Sequence, residues 1–327
     1  MPAGSGVRAP AVVGQFYPAD PDELRRLVDG LLAAVPVPVG EPAAAGYAVP
    51  HAGFRYSGPV AAHAYARLRF AAQPSAAAQP RACARPGAEM QEGVLRPGPG
   101  AEPARASGVA ARPDAGAGPG RARPNGVAGV ERVVLIGPAH YGRLFGCAVP
   151  AARVWRGPLG DVPIDGDTAH RLVVAGLASV DDEPFACEHS LEVQLPFLQR
   201  CLAPVPVLPV VAGISTVDEV AAVLAAAVED STLVLCSTDL SHYETDRVAR
   251  QQDARTVKAV LDLTPERVGV RDACGVFALR GLLGWARREG LRARLLSLGT
   301  SADTFGDPQR VVGYGAFAFD RPSASPR

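Results

Sequence analysis

The chain has 327 residues, with 33 basic and 33 acidic side chains and a formal charge of zero. That balance excludes the basic footprint of a nucleic-acid binder and the polybasic surface of a membrane-bound protein. Apolar residues make up 48% of it, enough for a sizeable core, and Lys258 is its only lysine, which nearly excludes a lysine nucleophile.

In chain order, the first twenty residues hold no long apolar stretch of the signal-peptide kind, and we expect a cytoplasmic protein. Asp20 followed by Pro21 reads as the cap and first position of a helix over 21–34. GYAVP (46–50) reads as a strand and 58–68 as a helix. From 71 to 129 the chain is dominated by Ala, Gly, Pro and Arg, with few aliphatic residues and no period. Such a segment buries too little apolar surface to offset its ordering entropy, so it is expected to be a disordered insertion. Beyond it, strands are expected at 132–138, 205–213, 232–238, 293–299 and 311–319. Helices are expected at 165–175, 190–201, 216–228, 246–261 and 275–289, and a flexible tail at 321–327. Several strands are continuously apolar, as in strands covered on both faces. The alternation predicts one α/β domain over 1–327, a doubly wound, mixed, mainly parallel sheet flanked by helices. No run approaches the roughly 18 apolar residues of a membrane span.

In such folds ligands bind beyond the carboxyl ends of strands. His51 follows the strand at 46–50, His140 the one at 132–138, and Asp239 and His242 the one at 232–238, although the chain has only six histidines. Imidazoles from separate strand ends suit a metal, completed by a carboxylate or thiolate; equally, each could cap a turn or satisfy a core hydrogen bond. The six cysteines are scattered without a CxxC and read as reduced thiols. Cys274 before a helix start could be thiolate, and so ligand or nucleophile, or an inert buried thiol. In CEHSLEVQLPFLQR (187–200), His189 and Glu192 read either as facing one cleft or as partners of a helix dipole. The loop GTSADTFGD (299–307) could bond substrate or form a turn, and His63 and His170 fall within helices and read as structural.

Taken together, GQFYP (14–18), PHAGFRYSG (50–58), IGPAHYG (136–142), EHSLEVQLPF (188–197), STDLSHYE (237–244), Ala-Cys-Gly (273–275) and RVVGYGAFAF (310–319) resemble the Memo family. Its bacterial and archaeal members are called AmmeMemoRadiSam system protein B. The resemblance runs from about residue 10 to 319, apart from the insertion. It implies a fold similar to class III extradiol ring-cleaving dioxygenases of the LigB type, which use non-haem iron. It further implies His51, His140 and Cys274 as metal ligands, with Cys274 replacing the glutamate of the true dioxygenases. Asp239 and His242 would line the same pocket, His242 as acid/base group oriented by Asp239, and His189 would border it. Iron(II) or copper is the expected cofactor, with zinc possible, because thiolate makes the site softer. The resemblance implies an oxidoreductase with a small-molecule or peptide substrate, and AMMECR1-like and radical-SAM proteins as pathway partners. A non-catalytic peptide- or partner-binding protein and a zinc hydrolase are the alternatives.

Overall fold

A computed structural model describes residues 6–38, 41–72 and 130–322. The expected insertion therefore lies outside the described residues, except that residues 71 and 72 end a helix; Cys83 and 323–327 lie outside as well. In chain order the elements are β1 (Val7–Arg8), α1 (Pro21–Ala33), β2 (Gly46–Val49), α2 (Phe54–Ala72), β3 (Arg132–Pro138), β4 (Cys147–Val149), β5 (Val154–Trp155), β6 (Val162–Pro163), α3 (Gly166–Val174) and β7 (Ser179–Val180). They continue with α4 (Glu183–Ala186), α5 (Leu195–Cys201), β8 (Val207–Ala212), α6 (Val217–Ala227), β9 (Thr232–Ser237), β10 (His242–Glu244), α7 (Asp246–Leu261), α8 (Val276–Arg288), β11 (Arg292–Thr300) and β12 (Val311–Asp320).

The main sheet is mixed, ordered β10-β12-β2-β9-β3-β8-β4-β7, with β11 also paired to β12. Its centre, β2-β9-β3-β8, is parallel; β12 joins β2 antiparallel and β4 joins β8 antiparallel. A smaller sheet, β1-β5-β6, ties the first described residues to the segment after β4. The central strands are buried on both faces, so their residues alternate between two cores. Val134 and Ile136 pack with α3, α6, α7 and α8, whereas Val133 and Leu135 pack with α1, α2 and α5. This is the expected α/β architecture.

Helix starts follow the local chemistry. The Asp20 carboxylate accepts the N–H groups of Asp22 and Glu23 with Pro21 in the first turn, and Thr216 and Glu219 form a reciprocal capping box on α6. Two starts differ from the expectation. α2 begins four residues before Gly58 and carries Pro59 in its second turn. α5 begins at Leu195, after a 3-10 turn over Glu192–Gln194, because Pro196 fits the first turn of a helix. Between α6 and α8 the helices approach closely: a Cβ on Gly281 would lie 2.1 Å from Val220 Cγ1. No helix among the described residues is long and apolar enough to cross a membrane.

Candidate metal centre

Because β2, β9 and β3 run parallel side by side, their carboxyl ends share one edge of the sheet. His51, Asp239 and His140 each stand two residues beyond the end of one of these strands. The strand-end rule thus delivers three polar side chains to one place. Cys274 arrives there just ahead of α8, His189 from the turn before α5, and His242 from the start of β10. All six predicted site residues line one cleft of about 670 Å³, together with Phe16, Gln252, Val270 and Arg271 among others. That volume suits a small-molecule site.

The rings of His51, His140 and His189 are mutually packed. His140 stacks on His189 with centroids 4.7 Å apart, and His51 meets both edge-on at 5.3 and 5.4 Å. Their donor atoms lie within 4.8 Å of one another. Phe16, from the motif at 14–18, packs against His189 at 4.8 Å and closes one wall.

Hydrogen bonds fix which ring nitrogen faces the cleft. His51 Nδ1 lies 2.9 Å from Ser237 Oγ. That hydroxyl gives its single proton to the Ser190 carbonyl at 2.6 Å and accepts from Gln194 Nε2 at 2.8 Å. Its remaining lone pair can only accept, so His51 carries its proton on Nδ1 and presents a bare Nε2. His140 Nδ1 lies 2.9 Å from Glu188 Oε1. Burial works to raise the pKa of Glu188, but hydrogen bonds and charge from His140, with the Ser190 N–H, outweigh it and hold it at about 2. An ionised carboxylate only accepts, so His140 carries a proton on Nδ1, and the neutral ring presents a bare Nε2. His242 Nδ1 donates to the Leu240 carbonyl at 2.8 Å, leaving its Nε2 free. An imidazole whose outer N–H is held by a carboxylate or other acceptor is the usual arrangement of a metal-ligating histidine.

The other groups are electrically quiet. Burial, reinforced by the neighbouring His140 and His189, pushes the His51 pKa well below its ordinary value, and burial lowers that of His189. Cys274 Sγ sits 3.2 Å from His51 Nε2 and accepts the Asp239 N–H at 3.2 Å. Burial, then the nearby Asp239, raises its pKa, so the helix start does not by itself make it thiolate. Burial also raises the pKa of Asp239, whose Oδ1 accepts the His51 N–H at 2.7 Å. The Nδ1 of His189 is buried without a hydrogen-bond partner, 3.7 Å from Glu188 Oε1.

Two expectations change, and one open reading is decided. Glu192 does not face the cleft: it accepts the N–H groups of Ala11 and Val12 and the Tyr17 hydroxyl, and pairs with Arg8 at 2.8 Å, anchoring the first described residues. Glu188, four residues earlier, is the carboxylate at the site. His242 is oriented by the Leu240 carbonyl, whereas Asp239 bonds the backbone of His51. The 299–307 loop is a turn that bonds α7, with Thr300 Oγ1 donating to Asp246 and Arg250 pairing with Asp303. His63 and His170 lie in α2 and α3, away from the cleft. Glu188 and Gln194 read from the sequence only as polar groups near a helix start, and Ser237 and Phe16 are not singled out by it, yet all four belong to the site.

A family model described as Memo-like protein matches residues 8–77 and 125–318, leaving out 78–124 within the low-complexity segment. The chain is 31% identical to a MEMO1 family protein of Methanopyrus kandleri, covering 96% of this chain and 99% of that one. It is 32% identical to one of Ignicoccus hospitalis, covering 97% and 99%, and 30% identical to one of Pyrobaculum arsenaticum, covering 96% and 99%. With matched motifs on every wall of one histidine-rich cleft, this chain belongs to the Memo family.

Proposed function

We propose that this chain is a metal-dependent oxidoreductase, related to the extradiol dioxygenases, that holds iron(II) or copper through His51, His140 and Cys274. The observation that carries the reading is the pair of imidazoles locked with bare Nε2 atoms at one cleft, beside a thiol 3.2 Å from one of them. Two neutral nitrogens and a sulfur fit a borderline or soft transition metal. The contact between Cys274 and His51 Nε2 is the one a metal would replace, with the thiol proton released. Bound there, the metal would supply Lewis acidity and electron exchange. The chain's own groups do the rest. His242, with Nε2 free, takes the proton of a substrate hydroxyl. Phe16 and the stacked His189 keep water from one wall. Glu188 and Ser237 hold the ligand rings so that no reorganisation is needed. Pathway partners of the AMMECR1-like and radical-SAM kind belong to the same proposal and rest on the resemblance alone.

A second reading has its own observation. His189 joins His51 and His140 in a three-imidazole cluster, and its Nδ1 lacks a partner. Three histidines with a protonated Cys274 would suit zinc and a hydrolytic water.

Elemental analysis of anaerobically purified wild type and of His140→Ala, Cys274→Ala and His189→Ala tests both. The oxidoreductase reading expects stoichiometric iron or copper, lost with His140 or Cys274 and kept with His189→Ala, together with oxygen consumption in substrate screens. Zinc lost with His189→Ala and kept with Cys274→Ala would replace it by the hydrolytic reading. No metal after reconstitution with iron and copper would leave a binding protein.

A further inference from the structure

We propose that the substrate of this cleft carries a single carboxylate, bound at the cleft mouth by Arg271. The inference rests on the cleft being a substrate site, and not on which metal it holds. The exposed part of the cleft lining comes from the turn before α8, with Val270 and Arg271, and from β10, with Tyr243 and Glu244 beside His242. The backbone of the turn is fastened. Gln252 Nε2 donates to the Arg271 carbonyl at 2.7 Å and to Asp272 Oδ1 at 3.0 Å, Asp272 Oδ2 accepts the Gly269 N–H at 2.6 Å, and Arg280 Nε donates to the Val268 carbonyl at 2.7 Å. The Arg271 guanidinium, by contrast, has no acceptor among the described residues. Three arginines near this end of the sheet are engaged: Arg250 by Asp246 and Asp303, Arg310 over the Tyr243 ring at 4.4 Å, and Arg143 over Phe145 at 5.3 Å; exposed Arg247 is not, but it does not line the cleft. Arg271 is thus an exposed, unengaged fork of donors on a fastened turn that lines the cleft, and such a fork suits bidentate recognition of a carboxylate.

Glu244 limits the charge the ligand can carry. It lines the same mouth, has no cationic partner among the described residues, and makes no ion pair with Arg271. A second negative charge on the ligand would meet this unpaired carboxylate as a like charge. The mouth therefore favours a monoanion over a phosphate dianion. The carboxylate could belong to a small acid or to the C-terminus of a peptide, and the two are separated by the choice of probe.

The test is titration of benzoate, benzamide, phenyl phosphate, and acetyl-tetraalanine with a free or an amidated C-terminus, followed by ligand-observed NMR. The proteins are wild type, Arg271→Gln, Arg271→Lys, Glu244→Gln and, as a distant surface control, Arg26→Gln. The acid form of at least one pair should bind and its amide should not. Arg271→Gln should weaken that acid by about tenfold, the scale of one charge-assisted pair. Arg271→Lys should fall between, and Arg26→Gln should match wild type. Glu244→Gln should strengthen phenyl phosphate. Preference for benzoate identifies a small acid, and preference for the free peptide acid identifies a chain terminus. Equal binding of acid and amide, no binding of either acid, or no effect of Arg271→Gln overturns the proposal. Elemental analysis of the same samples keeps the two readings apart: acid binding that depends on Arg271 in a protein without metal would remove the oxidoreductase reading and leave this one standing.

Discussion

The two buried glutamates of the segment at 188–197 give a sharp test of how the site is held. Glu188 accepts three N–H groups: the His140 backbone on Oε2, and the His140 ring and the Ser190 backbone on Oε1. In Glu188→Gln one oxygen remains as acceptor and the other position becomes an NH2 donor. Whichever way the amide turns, at least one of the three N–H groups faces a donor. An unpaired buried N–H costs about 1–3 kcal/mol. The surviving bonds also lose charge assistance, which roughly halves each of them. The expected loss of stability is about 2–4 kcal/mol, read as a lowered midpoint in urea. The better orientation of the amide keeps its oxygen at the His140 ring, but as a neutral acceptor it holds that ring less firmly. Weakening such an orienting partner costs about 10–100-fold in metal affinity, read by competition with a chelator. Glu192→Gln is the matched control. It too removes a buried carboxylate with several partners, Ala11, Val12, Tyr17 and Arg8, and should lose comparable stability while binding metal as wild type does. Equal metal affinity in Glu188→Gln and wild type, or an equal fall in Glu192→Gln, would refute the argument that Glu188 specifically orients the His140 ring.

Ser237→Ala removes the acceptor of the His51 Nδ1 proton and should lower metal affinity by about 10–100-fold; unchanged affinity would show that the tautomer of His51 is not set there. His242→Gln should keep its metal while turnover on an identified substrate falls by about 10²–10⁴, the usual contribution of a general base, and metal loss in this variant would make His242 a ligand. Gly281→Ala places a methyl 2.1 Å from Val220 Cγ1, so overpacking of α6 against α8 should cost about 1–3 kcal/mol in thermal unfolding without touching metal content. A neutral effect would mean that the two helices separate easily.

What the chain discloses about itself follows from how each feature is encoded. The central strands were legible because burial on both faces demands a continuous apolar run, and RVVLIGP occupies β3 to the residue. His51, His140 and Asp239 were legible for a related reason: a residue two positions past a parallel strand must lie on the edge where such folds bind ligands. The roles of the segment at 188–197 were not legible, because direction there depends on a turn and not on a period. Had a regular helix run from Ser190, the side chain of Glu192 would have been placed by the 3.6-residue repeat. The 3-10 turn over Glu192–Gln194, set by Pro196 just beyond it, sends Glu192 toward Arg8 and leaves Glu188, before any helix, to meet His140. The partners of Ser237 and Gln194 come from segments 47 and 144 residues away, and no local pattern marks such pairs. The same holds for Cys274. Its position before α8 suggested an activated thiolate, but the cost of burying charge exceeds the pull of a helix end. Under the proposed reading, that thiol would become an anion only when a metal ion arrives to share it. Burial and the neighbouring Asp239 thus work against a free thiolate nucleophile at this position.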